Sequence, residues 1–239
     1  MLWSTLGLCL LLVTPGLAQE GPAPWEQATP AGHFLKAESV GLDRLPMPPT
    51  EGSLAALADL EAVLQAQEWR TPEQLAWAKY IESDTVWKFA PVIGPWFRAE
   101  NLPKTAHFFW QLTVDTHALS EHIKGRWKRP RPYKVDPRIV PCVFAPTNDS
   151  YPSGHTLQAF VRAGVLAELF PGLRDALWDR AHQAGWGRVL GGVHYPTDIV
   201  GGRLLAEEML LRLKSNPDFQ RAVEVSRLEI GVWLLKKTG

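Results

Sequence analysis

Residues 129–156 read Arg-Pro-Arg-Pro-Tyr-Lys-Val-Asp-Pro-Arg-Ile-Val-Pro-Cys-Val-Phe-Ala-Pro-Thr-Asn-Asp-Ser-Tyr-Pro-Ser-Gly-His-Thr. Prolines at 130, 132, 137, 141, 146 and 152 remove backbone donors and fix φ too often for a helix to form, so this stretch is expected to be a long loop. Loops of that length inside a compact domain are commonly functional. On either side the pattern is helical. Pro103 opens a segment over 103–123 that carries Phe108, Leu112, Leu119 and Ile123 on one face. Further helical segments are expected at about 155–169, 172–188, 197–214 and 217–228. Upstream, Leu54, Leu57, Leu60 and Leu64 form an apolar stripe, and Thr71-Pro72-Glu73-Gln74 has the makings of a capping box. No alternating strand pattern and no internal repeat is visible. The expectation is an all-α fold, a compact helical bundle with a long Pro-rich active-site loop.

The chain has 239 residues, 46% of them hydrophobic, with 25 Lys+Arg against 25 Asp+Glu. That is enough apolar material for one core. The balanced charge argues against a nucleic-acid partner, so any anion site must be a local cluster. Residues 1–18 read as a signal peptide, with an apolar run from Leu2 to Val13 and Pro15-Gly16-Leu17-Ala18 before the cut. Residues 19–52, rich in Pro, Gly and Ala, read as an extended arm, and 53–239 as the helical domain. No stable membrane span is expected after cleavage, which makes the product periplasmic or secreted. Cys9 falls in the leader, so Cys142 would be the lone thiol of the mature chain, a small buried apolar residue rather than a disulfide partner.

Three clusters carry chemistry. Lys124-Gly125-Arg126-Trp127-Lys128-Arg129-Pro130-Arg131-Pro132 supplies a point charge and planar forks, the groups that grip phosphate oxygens. Ser150-Tyr151-Pro152-Ser153-Gly154-His155-Thr156 precedes a helix, whose first N–H groups favour an anion, with Gly154 admitting close approach and His155 able to carry a proton. Arg188-Val189-Leu190-Gly191-Gly192-Val193-His194-Tyr195-Pro196-Thr197-Asp198 sets a cation, an imidazole and a carboxylate at short spacing. A carboxylate on one imidazole nitrogen leaves the other free to attack. Taken singly, the first cluster reads as a solvated basic patch or a weak nucleic-acid contact, the second is also readable as an ordinary turn capped by Ser153, and the third as a structural His–Asp pair in the core.

Together, Lys-x6-Arg-Pro, Pro-Ser-Gly-His and Arg-x5-His-x3-Asp resemble the three-part signature of the type-2 phosphatidic acid phosphatase (PAP2) superfamily, whose site is shared with vanadium haloperoxidases. Ser150–Thr156 is similar to the class A bacterial nonspecific acid phosphatases, and the likeness runs over roughly 45–228. The resemblance implies a PAP2/haloperoxidase-type bundle and a phosphatase acting on small phosphomonoesters, with phosphotransferase activity compatible and a homo-oligomer left open. It implies His194 as nucleophile, Asp198 as its orienting partner and His155 as the proton donor. Lys124, Arg131, Ser153, Gly154 and Arg188 would bind phosphate, with no cofactor and no metal. Gly187 stands where the family usually has Ser, which removes a hydroxyl from the anion site. A lipid-phosphate phosphatase, a vanadium-dependent haloperoxidase and a non-catalytic phosphate-binding protein are the alternatives.

Overall fold

The computed structural model describes residues 33–83 and 85–238. The expected signal peptide and the first part of the expected arm lie outside the described residues. The α-helices are α1 Leu54–Trp69, α2 Pro72–Tyr80, α3 Ala90–Ile93, α4 Pro103–Lys124, α5 Pro132–Val135, α6 Gly154–Leu169, α7 Arg174–Leu190, α8 Pro196–Lys214 and α9 Pro217–Thr238. Among the described residues there is no strand. The fold is all-α, as the sequence implies.

Local chemistry sets the helix ends. Ser53 Oγ accepts from Ala56 N at 3.2 Å to start α1. Thr71 and Gln74 exchange both bonds of a capping box at α2, with Pro72 in its first turn. Proline occupies the first turn of α4, α8 and α9, where its missing N–H costs no hydrogen bond. Asn216 Oδ1 accepts from Asp218 N and Phe219 N at the head of α9.

α6 is the central element. It packs against α7, α8 and α4, and α4 packs against α9. Leu157, Phe160, Val161, Val165 and Leu166 of α6 are buried, so nearly its whole circumference is apolar. Gly164 admits Leu210 of α8, since a Cβ there would stand 2.5 Å from the leucine Cδ1.

The visible part of the arm is tied to the bundle. Asp115, buried on α4, accepts from the backbone N–H groups of His33, Phe34 and Leu35 at 2.7, 2.8 and 3.1 Å. Phe34 then meets Phe108 and Phe219 edge-on, with centroids 5.7 and 5.9 Å away.

Four expectations need correction. Leu54 and Leu57 are 86% and 54% exposed, so only Leu60 and Leu64 of the expected stripe pack inward, beside the buried Asp59 and Val63. α9 runs ten residues beyond the expected end, because its apolar periodicity continues through Gly231 and no proline interrupts it. The Pro-rich loop contains one helical turn, α5, because Pro132 suits a first helical position even where prolines deny a longer helix. Cys142 is half-buried rather than buried, with its Sγ 3.7 Å from Leu190 O.

The arm should depend on Asp115. Asp115→Asn is expected to lower the unfolding free energy by about 1–3 kcal/mol, because buried N–H groups lose their charged acceptor. Urea denaturation measures this, and an unchanged midpoint would contradict the clip.

Candidate active site

The three sequence clusters converge. Lys124 closes α4, Arg131 caps α5, Ser153 caps α6, Arg188 lies in the last turn of α7, and His194 sits two residues before α8. Lys124, Arg131, Ser153, Arg188, His194 and Asp198 are all buried. The chain reverses between Arg188 and His194 at Gly192, whose φ of 75° is strained for any residue with a Cβ.

Asp198 holds the third residue of α8 and reaches back to the N–H of Tyr195 at 3.0 Å, which completes the helix start. The same oxygen, Oδ2, lies 3.1 Å from His194 Nδ1. On the other side of the ring, His194 Nε2 lies 3.2 Å from Arg131 Nη1. Arginine nitrogens only donate and a carboxylate only accepts. The two contacts therefore assign one form to the ring: neutral, with its proton on Nδ1 and a lone pair on Nε2. Electrostatics agree. Burial drives the His194 pKa well below the ordinary histidine value, and Arg131, Lys124, Arg188 and His155 push the same way. Burial also raises the Asp198 carboxyl, while Arg129 pulls it back down.

The cations double as scaffolding. Lys124 Nζ donates to Asp149 O at 2.8 Å and Pro152 O at 3.2 Å. Arg131 donates to Asn148 O at 2.8 Å, Asn148 Oδ1 at 2.7 Å, Asp149 O at 3.3 Å and Val193 O at 2.9 Å. These bonds draw the end of the Pro-rich loop over the site. Ser153 Oγ accepts from Thr156 N at 3.3 Å and Thr156 Oγ1 at 2.9 Å, which leaves its own O–H as a donor. Gly154 is sterically required, since a Cβ there would stand 2.8 Å from Ser120 Oγ.

His155 shares the first turn of α6, and its Nε2 lies 3.3 Å from the carbonyl of Glu82. The Glu82 carboxylate also accepts from Phe144 N, which ties the segment after α2 to the Pro-rich loop. Glu82 escapes a reading of the sequence because both partners lie more than sixty residues away. Position 187 is filled in another manner. A Cβ on Gly187 would stand 2.1 Å from Ile81 Cδ1, so hydrocarbon from the end of α2 occupies the space beside it.

Two further residues join the site unannounced by the sequence motifs. Arg129 bridges Asp198 Oδ1 and Asp59 Oδ2, each at 2.6 Å. Lys124, Arg131 and Arg188 act on His194 as cations, and the carboxylates Asp198, Glu121 and Asp149 act in turn on Lys124 and Arg131. Among the described residues, no three His, Cys, Asp or Glu side chains are grouped to hold a metal, and no helix is long and apolar enough to cross a membrane.

The fold and this constellation define a class. Residues 107–217 match the model of the PAP2 superfamily. The chain is similar to a non-specific acid phosphatase of Providencia stuartii, 37% identical over 82 residues, which cover 34% of this chain and 33% of that protein. It is also similar to an acid phosphatase of Zymomonas mobilis, 27% identical over 93% of this chain and 89% of that protein. The first likeness therefore spans about a third of the relative's length. In three dimensions the fold is that of a bacterial vanadium-dependent iodoperoxidase, with TM-score 0.53 and 18% identity over 71% of this chain and 53% of that one.

Lys124 gives the site a pH dependence. Burial, followed by Arg131, pushes its pKa down to about 8. Its positive charge is thus complete below that pH and lost as pH rises through it. Orthophosphate affinity, measured by calorimetry, should fall between about pH 7 and about pH 9, and Lys124→Met should remove the step. A flat wild-type profile would contradict the assignment.

Proposed function

We propose that this chain is an exported phosphatase that hydrolyses small phosphate monoesters through a phosphohistidine on His194. The superfamily match and the names of the two relatives support phosphatase chemistry. The observation that carries the mechanism is the ring of His194, held neutral with its lone pair on Nε2 by Asp198 on one side and Arg131 on the other.

The steps follow from that ring. A phosphate oxygen takes over the Nη1 donor of Arg131 and so releases the Nε2 lone pair. Lys124, Arg131 and Arg188 neutralise the phosphoryl oxygens, and the Ser153 hydroxyl with the N–H of Gly154 adds donors at the start of α6. Nε2 attacks phosphorus as the ester P–O bond breaks. The imidazole becomes positively charged, and Asp198 stabilises that charge through Nδ1–H. His155 gives its proton to the departing oxygen, then takes one from water as the water attacks the phosphohistidine. Phosphate leaves and both histidines return to their starting states. An alcohol in place of water would give phosphotransfer. Three side-chain cations supply the charge that a metal supplies elsewhere, so each step is written without one. Export rests on residues 1–18, with cleavage after Ala18.

Rapid quenching with phosphate-labelled aryl ester separates the two histidines. His194→Ala should abolish turnover and leave no acid-labile label. His155→Ala should slow turnover by about 10²–10⁴-fold and accumulate label, since dephosphorylation loses its base. Label on His155, or label that persists in His194→Ala, would overturn these roles. Turnover lost to a chelator and restored by a divalent cation would overturn the metal-free scheme.

A further inference from the structure

Asp59 lies on α1, in a helix with no sequence signal beyond its leucines, yet it is among the most buried charges of the molecule at 5% exposure. Both of its oxygens are engaged across the site. Oδ2 accepts from Arg129 Nη2 at 2.6 Å and from the hydroxyl of Thr197, and Oδ1 accepts from Thr197 N at 3.2 Å. Arg129, 8% exposed, spends its other terminal nitrogen on Asp198 Oδ1 at 2.6 Å and Thr197 Oγ1 at 2.7 Å. Its guanidinium lies 4.0 Å above the Tyr195 ring. A planar fork clamped between two carboxylates and resting on an aromatic face has one orientation left.

We infer that Asp59 and Arg129 are positioning residues: a buried ion chain that runs from α1 through the head of the Pro-rich loop to Asp198, and fixes the carboxylate on which the His194 ring depends. This rests on the phosphohistidine reading. The geometry divides the labour of Asp198 cleanly. Oδ2 serves His194 and the start of α8, and Oδ1 serves Arg129. Without Arg129, one face of a fully buried carboxylate would have no donor, and the simplest relief is to take up a proton. A protonated Asp198 no longer holds a proton on His194 Nδ1 or stabilises the charged phosphohistidine.

Other groups also act on Asp198. Lys124 from α4 and Arg131 from the head of α5 act as cations, Tyr151 approaches from the loop before α6, and His194 and Tyr195 lie beside it. Arg129 is the strongest of the influences that oppose its burial. Asp59 in turn keeps Arg129 from swinging toward the Pro-rich loop. Helix α1, which bears none of the three motifs, becomes part of the machinery of the site.

The test is the pH profile of kcat for an aryl phosphate, read with KM, melting temperature and the amount of phosphoenzyme. Arg129→Met should move the acid limb of kcat upward by about one pH unit or more and lower kcat by about 10–100-fold, with KM nearly unchanged. Arg129→Lys keeps the charge but not the fork, so it should return the acid limb to within a few tenths of wild type while kcat stays about tenfold low. Asp59→Asn should lower kcat without raising the limb. Asp115→Asn, far from the site in role, should lower the melting temperature and leave the limb in place. A limb that stays put in Arg129→Met, or wild-type kcat in Arg129→Lys, overturns the ion chain. Wild-type enzyme that yields no label on His194 overturns the phosphohistidine reading itself, and the two failures are thereby told apart.

Discussion

A single carboxylate with no exposure to water holds the site together. Asp198 accepts from Arg129, from the backbone of Tyr195 and from His194, and each bond does a different job. The bond to Tyr195 starts α8, the bond to His194 selects a tautomer, and the bond to Arg129 opposes the upward push of burial on the carboxyl pKa. Buried charge of this kind is stable only when every partner is present. That requirement explains why residues from α1, α4, the Pro-rich loop, α6, α7 and α8 meet at one point.

Close backbone approach makes the meeting possible. A Cβ on Gly202 of α8 would stand 2.5 Å from the carbonyl of Ser153, and one on Gly201 would stand 2.6 Å from the ring of Tyr151. The second turn of α8 therefore lies directly on the loop that caps α6. Ser153 N donates to Asp198 O at 3.0 Å, a backbone bond between the second and third motifs. Motifs separated by some forty residues are thus locked in register by main-chain contact rather than by long side chains. From the outside, Tyr133 Oη donates to Pro146 O and Lys134 Nζ to Thr147 O at 2.6 Å, so α5 pins the loop from below.

Much of this was legible in the sequence, for a physical reason. Helix starts are written locally, as Thr71-Pro72, Pro103, Ser153, Pro196 and Asn216-Pro217 show, because caps and proline act within one turn. The motif residues were legible because phosphate chemistry demands particular groups in tight spacing. What escaped is what depends on distant partners. Leu54 and Leu57 share a helical period with Leu60 and Leu64, which do pack inward, and nothing local marks Asp59 for burial, since its partner Arg129 lies seventy residues away. Glu82 contributes a carbonyl to His155 and a carboxylate to Phe144, and neither role follows from its neighbours in the chain. Gly187 looked like a missing hydroxyl, whereas Ile81 fills the space at its side.

The central claim is that burial and two opposed partners keep His194 neutral, with its proton on Nδ1, at the pH where phosphate monoesters bind. Nitrogen-15 NMR of the imidazole rings in the intact protein reads this directly, because protonated, neutral Nδ1–H and neutral Nε2–H rings give distinct shifts. The account predicts a neutral Nδ1–H ring for His194 that persists well below pH 6.5, the ordinary histidine value. A His194 ring that takes up its second proton at an ordinary pKa, or that carries its proton on Nε2, would contradict it.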